Sequence, residues 1–438
     1  MSGSSTKFIV QPSSKLKGKM RVPGDKSVSH RSIMLGALAD GVTEVDGFLN
    51  GEDCMATLQA FRTMGVEIEG PKEGHVVIHG VGIDGLKAPE HDVDLGNSGT
   101  SMRLLTGLLS AQSFDTTLTG DSSLVTRPMR RVTDPLTTMG ASFETTDSGT
   151  PPVKIHGKQK LSGVDYDMPV ASAQVKSSLL LAGLYANGQT CVTEPAPTRD
   201  HTERMLRGFG YSVQTNGNKI CLLGGGRLAA TKIDVPADIS SATFFMVGAC
   251  ISDDTAIMLD HVGINPTRIG VINILKLMGA DIELTNEREI GGEPVADIIV
   301  RSSKLKGIKI PEEQVPLAID EFPAIFIAAA CAEGETILTG ARELRVKESD
   351  RIQAMADGLT TIGIVAKATE DGIIIQGGEM QGGTINSYGD HRIAMSFAMA
   401  ALKAKKTITI LDCANVNTSF PSFAKLANMS GLKITVED

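Results

Sequence analysis

A chain of 438 residues, 41% apolar and 21% charged, is globular and too long for a single hydrophobic core. No apolar run approaches the ~18 residues that a membrane-spanning helix requires, so no membrane partner is expected. A net charge of −9, no tryptophan and only four tyrosines provide neither a basic face nor stacking platforms for nucleic acid.

The opening Met1-Ser2-Gly3-Ser4-Ser5 has neither the basic nor the apolar region of a secretory signal, which points to the cytoplasm. The six cysteines are scattered, with no C-x-x-C pair. That suits thiols in a reduced compartment and argues against structural zinc. The eight histidines form no cluster with metal-ligand spacing, and neither a metal nor a cofactor is expected.

In chain order, a first strand leads to a hinge near residue 20. Pro23-Gly24-Asp25-Lys26-Ser27-Val28-Ser29-His30-Arg31-Ser32 then opens a buried helix. Lys26, Ser27 and Arg31 fall within one loop and helix turn, where they can grip a phosphate or carboxylate. A solvated charge cluster is the alternative. The Walker A spacing of a nucleotide-binding loop is absent.

Leu95-Gly96-Asn97-Ser98-Gly99-Thr100-Ser101-Met102-Arg103 reads as a tight turn feeding a second buried helix that reaches Leu109. The free N–H groups of such a helix start, and its dipole, favour an anion. The third buried helix opens at Ser172-Ala173-Gln174, the fourth at Asp238 to Ser241, the fifth at Asp320-Glu321 and the sixth at Asp390-His391-Arg392. A second hinge is expected near residue 237.

Between these lie six amphipathic surface helices. Each ends on a glycine followed by a short strand: Gly65, Gly140, Gly210, Gly279, Gly363 and Gly431, about 70 residues apart. Three should open at Arg127-Pro128, Asn265-Pro266 and Phe420-Pro421. The repeated unit is buried helix, strand, surface helix, strand. Six units make an α/β protein, naturally split three and three. Within each half the polar helix starts converge on one face, and two such faces opposed across a cleft would attract anions strongly.

Further charged groups cluster at these starts. Thr198-Arg199-Asp200-His201 adds a cation. In Leu344-Arg345-Val346-Lys347-Glu348-Ser349-Asp350-Arg351, Lys347 and Arg351 stand i and i+4 at the start of a surface helix. Taken alone, that segment reads as a salt-bridged helix start. Arg392 enters an apolar helix and needs a partner, either a bound anion or Asp390. Asp320 is placed to accept a hydroxyl proton, with a plain acidic cap as the alternative. These residues point to an enzyme for two small anionic substrates, at least one phosphorylated, using acid–base chemistry without a cofactor. A non-catalytic anion-binding protein would need the cations but not Asp320 together with Glu348.

Together the segments 23–32, 95–103, 126–129, 172–177, 344–351 and 390–397 resemble the 5-enolpyruvylshikimate-3-phosphate synthase family. They are closer to its bacterial class typified by glyphosate-tolerant members. The resemblance implies a two-domain inside-out α/β barrel of six βαβαββ repeats. Residues 21–236 would form the first domain. Residues 1–20 with 237–438 would form the second, to which the N-terminal strand belongs. It implies transfer of the enolpyruvyl group of phosphoenolpyruvate to the 5-hydroxyl of shikimate 3-phosphate, by a cytoplasmic monomer whose phosphoenolpyruvate site is the one glyphosate occupies in this family. Gly99 leaves that pocket open to the inhibitor, whereas the tolerant class and Leu104 argue the other way.

By motif match, Lys26, Ser27, Arg31, Ser172, Ala173, Gln174, Arg199, Asp320 and Lys347 would hold shikimate 3-phosphate. Lys26, Gly99, Arg127, Gln174, Arg351 and Arg392 would hold phosphoenolpyruvate. Asp320 would be the base. Glu348 would be the acid, with Lys26 its rival. The chain departs from the best-known bacterial members at His30, Ala173, Glu343 and Thr418. The sister family, UDP-N-acetylglucosamine enolpyruvyl transferase, carries a reactive cysteine in its first half. Asp121 to Arg127 has none.

Overall fold

In the computed structural model, which describes residues 6–438, helices of two kinds alternate along the chain. The reading of Met1 to Ser5 lies outside the described residues. Among those residues the α-helices are α1 (Lys26–Leu38), α2 (Glu52–Thr63), α3 (Gly99–Leu109), α4 (Arg130–Thr138), α5 (Ala173–Gly183), α6 (His201–Gly208), α7 (Ile239–Ile251), α8 (Gly270–Leu277), α9 (Phe322–Ala330), α10 (Arg351–Thr361), α11 (His391–Ala400) and α12 (Phe423–Ser430).

The odd-numbered helices are apolar nearly all round and buried. Every residue of α7 and of α9 is buried. The even-numbered helices are one-sided: α2 buries Cys54, Leu58 and Phe61 while Glu52 and Gln59 face solvent. Each even helix is followed by its expected glycine in the left-handed region, with φ from 79° at Gly210 to 120° at Gly431.

The expected helix openings fall too early at three places. α4, α8 and α12 begin at Arg130, Gly270 and Phe423. Crowding by a proline ring holds the preceding residue extended, as at Arg127 with φ −80° and ψ 135°. Asn265 uses its side chain to accept the Thr267 amide at 2.9 Å, an Asx turn rather than a helix cap.

Strands between the helices form six small sheets among the described residues. In one, Val93–Asp94 lies parallel to Thr116–Thr119, with α3 as the crossover. Val153–His156 and Ser142–Glu144 then add antiparallel. Asp165–Asp167, Gln189–Thr193, Lys219–Leu223 and Val213–Asn216 repeat this order around α5. The last sheet borrows a strand from the other end of the chain. Lys7–Gln11 lies antiparallel between Ile408–Leu411 and Lys433–Glu437, with Phe8 opposite both Ile410 and Val436.

The reading of all six cysteines as thiols is corrected here. Cys191 and Cys221 are direct partners in the antiparallel register and form a disulfide, their Cα atoms 4.1 Å apart. Strand register pairs them, which their spacing in the chain does not reveal.

The described chain divides into two compact units. The first comprises Gly24–Val235 and Glu289–Glu293. The second comprises the chain up to Pro23, Pro236–Arg288 and Pro294–Asp438. Each has its own core, packed from residues such as Leu35, Phe61, Leu105 and Leu180 in the first and Phe245, Phe326, Phe397 and Phe423 in the second.

Candidate functional site

In the first unit the starts of α1, α3 and α5 carry the polar residues singled out in the sequence. Asp25 caps α1 by accepting the Val28 amide at 2.9 Å. Lys26 follows and pairs with Asp53, which is buried on α2. Arg31 is also buried. Its Nε donates to Thr202 Oγ1 at 2.7 Å, its Nη2 to Ser177 Oγ at 2.9 Å and its Nη1 to the Ser27 carbonyl at 3.0 Å. Burial lowers its pKa to about 10, against the pull of Glu203 and Asp25, so it remains a cation at neutral pH. Arg31 therefore braces α1 against α5 and α6.

Ser98 caps α3 by accepting the Ser101 amide at 3.1 Å. Around the helix start five side chains form two hydrogen-bonded groups. Arg127 Nη2 donates to Asn97 Oδ1 at 2.6 Å. Arg103 Nη1 donates to Gln174 Oε1 at 2.6 Å, and Gln174 Nε2 donates to Thr100 Oγ1 at 3.1 Å. Asp121 anchors the loop from below, accepting from Asn97 Nδ2 at 2.7 Å and from the amides of Ser123 and Leu124. Two guanidinium groups thus meet at the start of one helix, an arrangement suited to a carboxylate or phosphate.

Sequence reasoning singled out Gly99, Arg127 and Gln174 but gave no role to Arg103, Thr100 or Asp53. For Arg103 a signal existed: it enters a buried apolar helix, the same oddity that drew attention to Arg392. Asp53 sits in an ordinary amphipathic pattern, where nothing marks it.

Ser172 caps α5 through the Val175 amide at 3.4 Å, and Ala173 begins the helix with no side-chain donor. Beneath the loop that carries Arg199, Lys176 Nζ lies 2.7 Å from Glu203 Oε1 and 3.1 Å from Glu194 Oε2, all three buried. Burial pushes the Glu194 carboxyl above its ordinary pKa, with Lys176 working against it. Thr198 donates to Glu194 with its hydroxyl and accepts from Lys176 with its carbonyl, which pins the loop one residue before Arg199.

In the second unit the charged groups gather on Arg351. Its side chain is 1% exposed. Nε lies 2.8 Å from Asp390 Oδ2, Nη2 2.5 Å from Glu348 Oε2 and Nη1 3.4 Å from Asp320 Oδ1. Burial opposes its charge, but these three carboxylates outweigh it and raise its pKa. Lys347 Nζ lies 3.6 Å from the same Asp320 oxygen and 3.9 Å from Glu343 Oε1. Asp320, partly exposed, is thus flanked by two cations.

Three local readings change. Lys347 is not on the helix: Arg342–Val346 is a 3₁₀ turn, Lys347 is extended, and Asp350 caps α10 through the Gln353 amide. Lys347 and Arg351 converge through their shared partner Asp320, not through helical spacing. Asp390 pairs with Arg351 and not with the Arg392 side chain. Arg392 Nη1 instead donates to the Asp320 carbonyl at 2.9 Å and lies 3.7 Å from Glu321 Oε1. Nor does the Glu321 side chain cap α9; it is buried, accepting from Ser240 and facing Arg268 Nη2 at 3.6 Å. Thr418 is buried and donates to the Asn415 carbonyl at 2.7 Å.

The geometry is that of an anion receptor in each unit, and in the second the receptor surrounds a carboxylate. Comparison with known proteins gives the family. The family model described as EPSP synthase (3-phosphoshikimate 1-carboxyvinyltransferase) matches residues 10–426. The chain is 68% identical over 429 residues to the 3-phosphoshikimate 1-carboxyvinyltransferase of Methylococcus capsulatus, covering 98% of each chain. To that of Alkalilimnicola ehrlichii it is 65% identical, covering 98% of this chain and 97% of the relative. A solved structure of EPSP synthase from Acinetobacter baumannii superposes with a TM-score of 0.90 at 63% identity, covering 99% of this chain and all of that one.

Proposed function

The chain belongs to the EPSP synthase family, and from that premise we propose how its residues share the work of a 3-phosphoshikimate 1-carboxyvinyltransferase. This shikimate-pathway transferase moves the enolpyruvyl group of phosphoenolpyruvate to the 5-hydroxyl of shikimate 3-phosphate and releases phosphate. Arg127, Gly99 and Gln174, with Arg351 and Arg392, receive phosphoenolpyruvate. Lys26, Ser27, Arg31, Ser172, Ala173, Gln174, Arg199, Asp320 and Lys347 receive shikimate 3-phosphate. Lys26 serves both.

Asp320 takes the 5-hydroxyl proton as that oxygen bonds to C2 of phosphoenolpyruvate. A proton from Glu348, or from its rival Lys26, goes to the methylene carbon and makes it a methyl group. Departure of phosphate with loss of one methyl proton then restores the double bond. The cations neutralise charge throughout, as fixed donors do best in a site poor in water.

The observation that carries this reading is the setting of Asp320: a partly exposed carboxylate with Arg351 at 3.4 Å and Lys347 at 3.6 Å, and Arg392 on its own carbonyl. It joins a base to an anion receptor, which a mere binding protein does not need. Phosphate release tests it. Release should require both substrates together and should not occur when UDP-N-acetylglucosamine replaces shikimate 3-phosphate.

Among the described residues no helix is long and apolar enough to cross a membrane. The enzyme is proposed to act as a cytoplasmic monomer, on the support of its acidic net charge and its family. Glyphosate is proposed to compete with phosphoenolpyruvate, since it too is an anion that the Arg127 receptor can hold.

A further inference from the structure

A line of buried polar side chains runs beneath the anion receptor of the first unit. His30 Nδ1 lies 2.7 Å from Thr57 Oγ1, Thr57 Oγ1 lies 2.5 Å from Ser101 Oγ, and Ser101 Oγ lies 2.6 Å from Ser98 Oγ. Each of the four residues has zero exposure. His30 belongs to α1, Thr57 to α2 and Ser101 to α3, while Ser98 is the cap of α3. Polar groups so deep are costly unless they satisfy one another, and apolar side chains would pack there more cheaply. Four of them in one chain therefore specify a geometry.

Both ends of that geometry lie at the proposed site. At one end Ser98 holds the first turn of α3, next to Gly99 and the Arg127 guanidinium. At the other, His30 sits one turn after Lys26. Thr57 is in the middle, and one turn before it on the same face of α2 is Asp53, the partner of Lys26. A single helix that carries no proposed ligand thus touches both helix starts, one through Asp53 and the other through Thr57.

His30 remains neutral. Burial, reinforced by the charges of Lys26 and Arg31, holds its pKa well below the ordinary 6.5. A neutral imidazole has one donor and one acceptor nitrogen, so Nδ1 closes the line whichever direction the hydroxyl protons take. Nε2 has no hydrogen-bond partner, and Nδ1 lies 3.4 Å from Ser101 Oγ but only 2.7 Å from Thr57 Oγ1, which leaves Thr57 as the main anchor of the ring.

We propose that Thr57 is a positioning residue for the enolpyruvyl transfer: its hydroxyl joins His30 of α1 to Ser101 and Ser98 of α3, and so holds the phosphoenolpyruvate receptor in register with Lys26. The inference rests on the proposed assignment of Gly99, Arg127 and Lys26 to substrate.

The test is steady-state kinetics of the full-length enzyme with each substrate varied. Thr57→Val keeps the shape and removes the hydroxyl. It should raise KM for phosphoenolpyruvate roughly tenfold, the effect of one buried hydrogen bond, with kcat within about threefold. Thr57→Ser should restore KM to within about twofold of wild type. Because the hydroxyls act as one line, Thr57→Val with Ser98→Ala should be little worse than the more damaging single change. An unchanged KM in Thr57→Val overturns the proposal, as does equal damage in Thr57→Ser, because packing and not the hydroxyl would then be responsible. If Thr57→Val does not fold, Ser101→Ala breaks the same line and is read by the same criteria. Arg127→Ala is the independent control. If it leaves KM for phosphoenolpyruvate unaltered, the site assignment fails, whatever Thr57 does.

Discussion

Arg351 and Asp390 form an ion pair shut off from water, with Nε 2.8 Å from Oδ2 and the two side chains 1% and 0% exposed. Breaking such a pair from one side leaves a buried charge behind, which costs more than the pair itself contributes. Asp390→Ala should therefore lower stability by about 3 kcal/mol, the lower end of the usual range because Glu348 and Asp320 still accompany the arginine. A urea midpoint unchanged from wild type would show that Arg351 does not depend on Asp390.

Asp320→Asn keeps size and hydrogen bonding but cannot take a proton. With Asp320 as base, kcat should fall by roughly 10²–10⁴. The dissociation constant for shikimate 3-phosphate, measured by calorimetry, should change far less. Near-normal turnover would move the base elsewhere.

Glu348 and Lys26 are rivals for the acid, and each is already paired, with Arg351 and Asp53 respectively. Glu348→Gln and Lys26→Met separate them. With shikimate 3-phosphate present, the variant lacking the acid should lose exchange of deuterium from solvent into the methylene group of phosphoenolpyruvate while still binding it. If both variants exchange normally, neither side chain is the donor.

Gly99 lies between two cations. A Cβ there would stand 3.1 Å from Nη1 of Arg103 and 3.1 Å from Nη1 of Arg127. Both are far ends of flexible side chains and can give by a few tenths of an ångström, but the receptor they form would narrow. Wild type should be inhibited by glyphosate in competition with phosphoenolpyruvate. Gly99→Ala should weaken that inhibition at least tenfold, on the order of 1.4 kcal/mol, with a smaller rise in KM. Equal inhibition constants for the two proteins would place tolerance at some other residue.

His30 also sets an acid limit. Its folded pKa is depressed below 6.5, first by burial and then by Lys26 and Arg31, with Asp25 opposing. Between the folded and unfolded values the unfolded chain binds the extra proton. The stability contribution is therefore complete above about pH 6.5 and is lost as the pH falls, at no more than about 1.4 kcal/mol per pH unit. His30→Gln should be less sensitive to acid than wild type when urea midpoints at pH 7.5 and 5.5 are compared. An identical loss in both proteins would assign the acid response to other groups.

The alternation of helices, the six left-handed glycines and most of the polar helix starts were legible in the chain alone. They depend on apolar periodicity and on glycine's lack of a Cβ, which are local properties. So were Lys26, Asp320 and Arg392, because a charge where an apolar helix begins is a local anomaly, whereas Arg127 was marked only by the family motif. Tertiary structure decided which charge meets which. Asp390 could have served Arg392, its neighbour but one, yet it serves Arg351, 39 positions away. Glu321 looked like a cap and is a buried partner of Ser240 and Arg268. Cys191 meets Cys221 only through strand register, and Thr57 meets His30 and Ser101 only because three helices pack at one point. Ion pairs and hydrogen bonds act over a few ångströms, so their partners are chosen by packing, and distance along the chain carries no information about it.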